Sequence, residues 1–117
     1  MTLEEFFFTL LLNVKMYHWQ TKSYAEHIAT DQLHTALQPL VDTFVEVYSR
    51  DVSRPKGNFN VQVYSMTKDQ FSFSLKDAVS CLRELETKKN ITSSELLNIR
   101  DEIVSNLNRT LYLFTFQ

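Results

Sequence analysis

Apolar residues recur at helical spacing along most of the chain. Thr2 followed by Glu5 carries a capping-box signature, and the Phe- and Leu-rich stretch behind it predicts a first helix from about Leu3 to about Gln20. Thr21-Lys22-Ser23 supplies a turn. Leu33, Leu37, Leu40, Val41, Phe44 and Tyr48 then follow the i, i+3, i+4, i+7 pattern of a second helix, from about Tyr24 to about Tyr48. Pro39 lies inside it and lacks an amide proton, so it is expected to kink the helix or divide it near Gln38. Asp51 through Lys68 reads as the long connection, with Arg54-Pro55-Lys56-Gly57-Asn58 as its turn signal and Val61-Gln62-Val63-Tyr64 as a short extended piece.

A third helix is expected from about Asp69 or Leu75 to Lys88, burying Leu75, Ala78, Val79, Leu82 and Leu85. The fourth opens at Thr92, with Glu95 completing a second capping box. It continues through Leu96, Ile99, Ile103, Leu107 and Leu111. The pattern predicts one all-α domain over residues 1–117, a four-helix bundle with a longer crossover loop between helices 2 and 3.

Composition narrows this picture. One Gly and two Pro in 117 residues leave few turns, which favours long helices over a many-stranded sheet. The first helix could pass for a membrane span, but Glu4, Glu5, Asn13 and Lys15 interrupt it before any run reaches the ~18 apolar residues needed. It also lacks the positive start and cleavage site of a signal peptide. Apolar around most of its circumference, it is expected to be buried on more than one side. A net charge of −2 and a pI near 5.9 provide no basic footprint, so no nucleic-acid partner is expected. Cys81 is the single cysteine and cannot form an internal disulfide, which suits intracellular folding.

The candidate chemistry lies in His18, His27, Asp31, Asp42 and Glu46. His27–Asp31 and Asp42–Glu46 are i,i+4 pairs, and 42 follows 31 by three helical turns, so all four project from one arc of the second helix. That arc faces away from the helix's apolar stripe. A solvated polar face is the plain reading of each pair alone. Imidazole and carboxylate are also ligands that first-row metals such as iron accept. A rise of ~1.5 Å per residue would separate Asp31 from Asp42 by roughly 16 Å. One chain cannot close that distance around a single ion; two chains are needed.

With three His, six Asp and eight Glu, chance would produce H-x3-D-x10-D-x3-E in roughly one such sequence per two thousand. Together with the preceding His18-Trp19-Gln20-Thr21-Lys22, which is similar to an HW-x-x-K turn, the pattern resembles the Dps family of mini-ferritins, within the ferritin-like superfamily. The resemblance covers the first two helices. It implies a ferritin-like bundle and a ferroxidase site shared across a two-fold axis. His18, His27 and Asp31 of one chain would face Asp42 and Glu46 of the other, holding one or two iron ions. It further implies Fe(II) oxidation and a ferric mineral inside a homo-oligomeric shell. The segment between His18 and His27 is three residues shorter than the usual family spacing.

The other residues suit plainer roles. Trp19 is expected as a packing anchor, Cys81 as a small buried hydrophobe, and Phe6-Phe7-Phe8 as core and interface. His34 shares the ligand arc but suits a solvated side chain. The second class of function is a non-catalytic structural or assembly protein that reuses the bundle. Compact chains of this pattern resemble small proteins of phages and large DNA viruses, which implies capsid or other virion proteins as partners and a virion location. No membrane partner is expected.

Overall fold

The computed structural model describes residues 1–116 and is all-α. Its five helices are α1 (Leu3–Gln20), α2 (Tyr24–Asp51), α3 (Lys68–Arg83), α4 (Leu85–Lys88) and α5 (Ser94–Leu113), with no strand among the described residues. The Thr2–Glu5 capping box forms as expected, closing two backbone donors at the start of α1. At its 28 residues, α2 should span about 42 Å, which matches the 42 Å long axis of the molecule. This helix sets the length of the fold.

Pro39 does not divide α2, which is continuous from Tyr24 to Asp51. Thr35, whose carbonyl loses its usual partner, is exposed, so water is at hand where the ring removes a donor. α1 packs on α2, α2 on α5, and α5 on α3. Phe7, Phe44, Leu37, Leu75, Ile103 and Leu107 fill the space between them, each at most 2% exposed. Phe7 meets Phe44 edge-on at 5.3 Å, while Tyr17 of α1 stacks on Phe71 of α3 at 4.2 Å. These aromatic pairs tie α1 to both of its neighbours.

The expected third helix is two. α3 stops at Arg83, a turn intervenes at Glu84, and α4 is a separate short helix. The cause is a residue the apolar pattern hides. Arg100 of α5 is buried, and its Nη1 donates to the Leu82 carbonyl at 3.0 Å. In an uninterrupted helix that carbonyl would accept from the amide of Glu86. The guanidinium takes its place and also bonds the Glu86 and Asp101 carboxylates at 3.2 and 2.7 Å. α5 also begins later than expected. Its N-cap is Ser93, whose hydroxyl accepts from Leu96, so the Thr92–Glu95 capping box does not form.

The connection between α2 and α3 contains an extended strap, residues 60–66, running along α1 in the same direction. Polar side chains of α1 hold its backbone. Glu5 accepts from the Asn60 amide at 2.9 Å, and Asn13 donates to the Gln62 carbonyl at 2.9 Å while accepting from the Tyr64 amide. Gln20 both donates to the Met66 carbonyl and accepts from its amide, at 2.5 and 3.0 Å. The spacings match. Fifteen helical residues from Glu5 to Gln20 cover about 22 Å, and six extended residues from Asn60 to Met66 cover about 20 Å. The alternation in Val61–Tyr64 therefore records an extended segment paired with side chains rather than with a sheet.

Two expectations about single residues fail. Trp19 is 71% exposed rather than a packing anchor, because the end of α1 presents it away from α2. Cys81 is exposed rather than buried, since the core-facing positions of that turn of α3 are Ala78, Val79 and Leu82. Of the Phe run, Phe7 is core, Phe6 is half-buried and Phe8 is 47% exposed.

A histidine clasp as candidate functional site

The short Thr21–Ser23 turn folds the start of α2 back against the end of α1. Ser23 caps α2 by accepting from the Glu26 amide, which fixes where the second helix begins. His18 and Tyr17 on α1 consequently face His27 and Glu26 on α2, as two cross-helix pairs with the same separation in sequence.

His18 and His27 stack, with ring centroids 3.9 Å apart and planes 18° from parallel. Each ring also bonds the backbone of the other residue. His18 Nδ1–H donates to the His27 carbonyl, and His27 Nδ1–H donates to the His18 carbonyl, both at 2.9 Å. A carbonyl oxygen can only accept, so both rings must carry a proton on Nδ1. In the neutral form each Nε2 then keeps its lone pair. Metal-binding histidines commonly use this arrangement, with the second nitrogen tied to a carbonyl that fixes tautomer and ring orientation. Thr30, fully buried, lies 3.3 Å from His18 Nδ1 and donates its own hydroxyl proton to the Glu26 carbonyl.

Beside the histidines lies a second polar pair. The Tyr17 hydroxyl donates to Glu26 Oε1 at 2.6 Å, Thr21 donates to the same oxygen at 3.0 Å, and Lys68 Nζ stands 3.4 Å from Oε2. Burial alone would raise the Glu26 carboxyl. The hydrogen bonds from Tyr17 and Thr21 and the charge of Lys68 outweigh it, holding the group below the ordinary carboxylate range. Tyr17 is pushed the other way by burial and by the carboxylate it faces, so it stays protonated. This pair locks the α1–α2 turn from inside. Sequence reasoning assigned no role to Tyr17, Glu26, Thr30 or Lys68; the signal available was the matched Tyr17-His18 and Glu26-His27 dipeptides.

The carboxylates are placed differently from the histidines. Asp31, Asp42 and Glu46 are exposed on α2, and no ion pair among the described residues engages them. Of the five candidate ligands, His18 and His27 meet within the chain, and Asp31 lies one turn beyond His27. Asp42 and Glu46 stand about three and four turns beyond Asp31 on the same helix. Among the described residues no group of three or more His, Cys, Asp or Glu side chains is placed to hold a metal ion. His34 is half-buried, and its imidazole is shifted down by burial and by the nearby charges of Lys15 and His18, against the pull of Asp31.

The same two helices also carry exposed apolar side chains. Phe8, Leu12 and Trp19 share one stripe of α1, and Tyr24 and Ile28 stand on the first turns of α2. No helix among the described residues is long and apolar enough to cross a membrane.

A family model described as "Family of unknown function (DUF5856)" matches residues 18–114, a span that includes all five candidate ligands. No curated protein and no solved structure matches the chain.

Proposed function

The chain belongs to DUF5856, and from that premise we propose that it is a Dps-like iron-binding protein whose histidine clasp is one half of a two-chain metal site. The observation that carries this reading is the reciprocal His18–His27 bonding. It commits both Nδ1 protons to carbonyls and reserves both Nε2 atoms for a ligand bond. Asp31 would complete the half-site, and Asp42 and Glu46 of a second copy would close it. Antiparallel packing of two α2 helices about a two-fold axis brings each half to the other and creates two equivalent sites. Histidine and carboxylate together suit Fe(II), the substrate, which gives up an electron to oxygen or peroxide.

The neighbour order α1–α2–α5–α3 supports a ferritin-like four-helix bundle, with residues 52–67 as the crossover and α4 as an addition to it. The exposed stripe of Phe8, Leu12 and Trp19 supports a second copy as partner, because large aromatic side chains left in water favour association. A larger shell with a stored ferric mineral extends the same reading.

That apolar stripe also favours the alternative, a structural or assembly protein, such as one associated with a virion or capsid, that keeps the bundle without oxidising iron. Anaerobic Fe(II) titration followed by air separates the two. Ferric absorbance should develop in wild type, and should be slowed at least tenfold in Asp42→Ala and His27→Ala while helicity is retained. Equal rates in wild type and Asp42→Ala would remove Asp42 from the mechanism. Assembly unaffected by Fe(II), with no oxidation above buffer, would leave the structural reading standing.

A further inference from the structure

Under the strap, between α1 and α3, lies a cavity of about 470 Å³. Phe6, Leu10 and Val14 form one wall, Phe71 and Leu75 the other, and Met66 lies in the strap that covers it. A volume of this size is within the range of small-molecule sites, which are mostly apolar with a few polar groups that orient the guest. Its polar lining includes Thr9, Asn13 and Gln62 along α1 and the strap, and Ser74 and Asp77 on α3; the one carboxylate among them stands at a mouth. Asp77 lines both the cavity and an adjoining groove that also contains Tyr64, Phe73 and Asp69, so it stands where the two meet. Met1, whose amine carries the other formal charge in the lining, lines the cavity away from that mouth and also a separate recess towards Leu85.

Asp69, Phe73 and Asp77 follow one another at i, i+4 and i+8, a single stripe on the outer face of α3. Phe73 is 70% exposed and Tyr64, on the strap, is 57% exposed, so neither ring is consumed by the core. No ion pair among the described residues engages Asp69 or Asp77. Two free carboxylates alternating with two open aromatic faces attract a cation with an apolar shell, since ring faces and carboxylates are both negative. An anionic guest would meet repulsion at the same mouth.

We propose that this cavity binds an apolar organic cation, an amine or quaternary ammonium on a hydrocarbon body, with the body under the strap and the charged head between Asp77, Asp69, Tyr64 and Phe73. The site shares no residue with the histidine clasp and stands or falls independently of the iron reading.

Decyltrimethylammonium, 1-decanol and decanoate, each below its micelle concentration, test it against protein labelled at the methionine methyl groups. Met66 lines the cavity, whereas Met16 does not and serves as the internal control. The cation should shift the Met66 methyl signal saturably and leave Met16 in place. It should bind about five-fold or more tightly than decanoate, with decanol between them, as expected for exposed charges acting at one mouth. The surface variant Asp69→Asn/Asp77→Asn, which leaves the core untouched, should erase that difference. Ser74→Trp, which fills the cavity, should abolish the Met66 shift with helicity kept. Decanoate binding as tightly as the cation, Met16 responding as much as Met66, or no saturable Met66 shift with any of the three would each overturn the proposal.

Discussion

Replacing Asn13 by Leu should release the middle of the strap. Asn13 is 7% exposed and uses both ends of its amide: Nδ2 donates to the Thr9 carbonyl and to the Gln62 carbonyl at 2.9 Å each, and Oδ1 accepts from the Tyr64 amide at 3.4 Å. The Thr9 carbonyl keeps its place in α1, so the loss falls on the two bonds to the strap. Each net hydrogen bond contributes about 0.5–1.5 kcal/mol, and the longer one belongs at the low end. The strap is only part-buried, so its freed groups recover some solvation from water. The expected cost is therefore about 1–2 kcal/mol, within a total stability of roughly 5–15 kcal/mol. Leu restores the apolar character of the rest of α1, so helix propensity should not add to the loss. Amide hydrogen exchange is the assay of choice. The Tyr64 amide should lose about five- to thirty-fold in protection, while Asn60 and Met66, held by Glu5 and Gln20, should lose less. The thermal midpoint should fall by about 4–10 °C. Unchanged protection at Tyr64, or equal loss at every strap amide, would refute the idea of separate side-chain clamps.

Glu26, Arg100 and Trp19 give three further tests. Glu26 has a folded-state pKa lowered from the ordinary 4.5, so its contribution is present above that value and is lost as pH falls through the lower folded one. Glu26→Gln should cost about 1.5–3 kcal/mol near neutral pH, from the hydrogen bonds to a charged acceptor. It should also flatten the fall of the urea midpoint below about pH 4.5; an acid limb as steep as in wild type would contradict this. Arg100→Leu should destabilise by about 1–3 kcal/mol in chemical denaturation. The larger penalty of a broken buried ion pair is not expected, because the side chains of its partners Glu86 and Asp101 are 51% and 68% exposed and rehydrate. A change under about 0.5 kcal/mol would mean that Arg100 does not hold the α3–α4 break. Trp19→Glu should weaken self-association at least tenfold in sedimentation velocity without loss of helicity, and an unchanged distribution would exclude the α1 stripe as a contact between copies.

Amino-acid pattern alone determined the parts of this fold that depend on near neighbours. Thr2 and Glu5 set the start of α1, Ser23 the restart at α2, and the apolar stripes of Leu33 to Phe44 and Leu96 to Leu107 which faces turn inward. Local hydrogen bonds and the 3.6-residue period suffice for these. The separation of the carboxylate pairs along α2 was legible for the same reason, since helical rise converts spacing directly into distance. Tertiary structure decided what depends on residues far apart in sequence. Arg100 ended α3 by taking the carbonyl of Leu82, eighteen residues before it. Glu5, Asn13 and Gln20 bound a strap about fifty residues away. His18 and His27 were visible as candidates, but no periodicity announces that each ring would bond the other's carbonyl. Their pairing depends on the angle at which two helices leave a three-residue turn, and packing against Phe71 and Glu26 fixes that angle after both helices have formed.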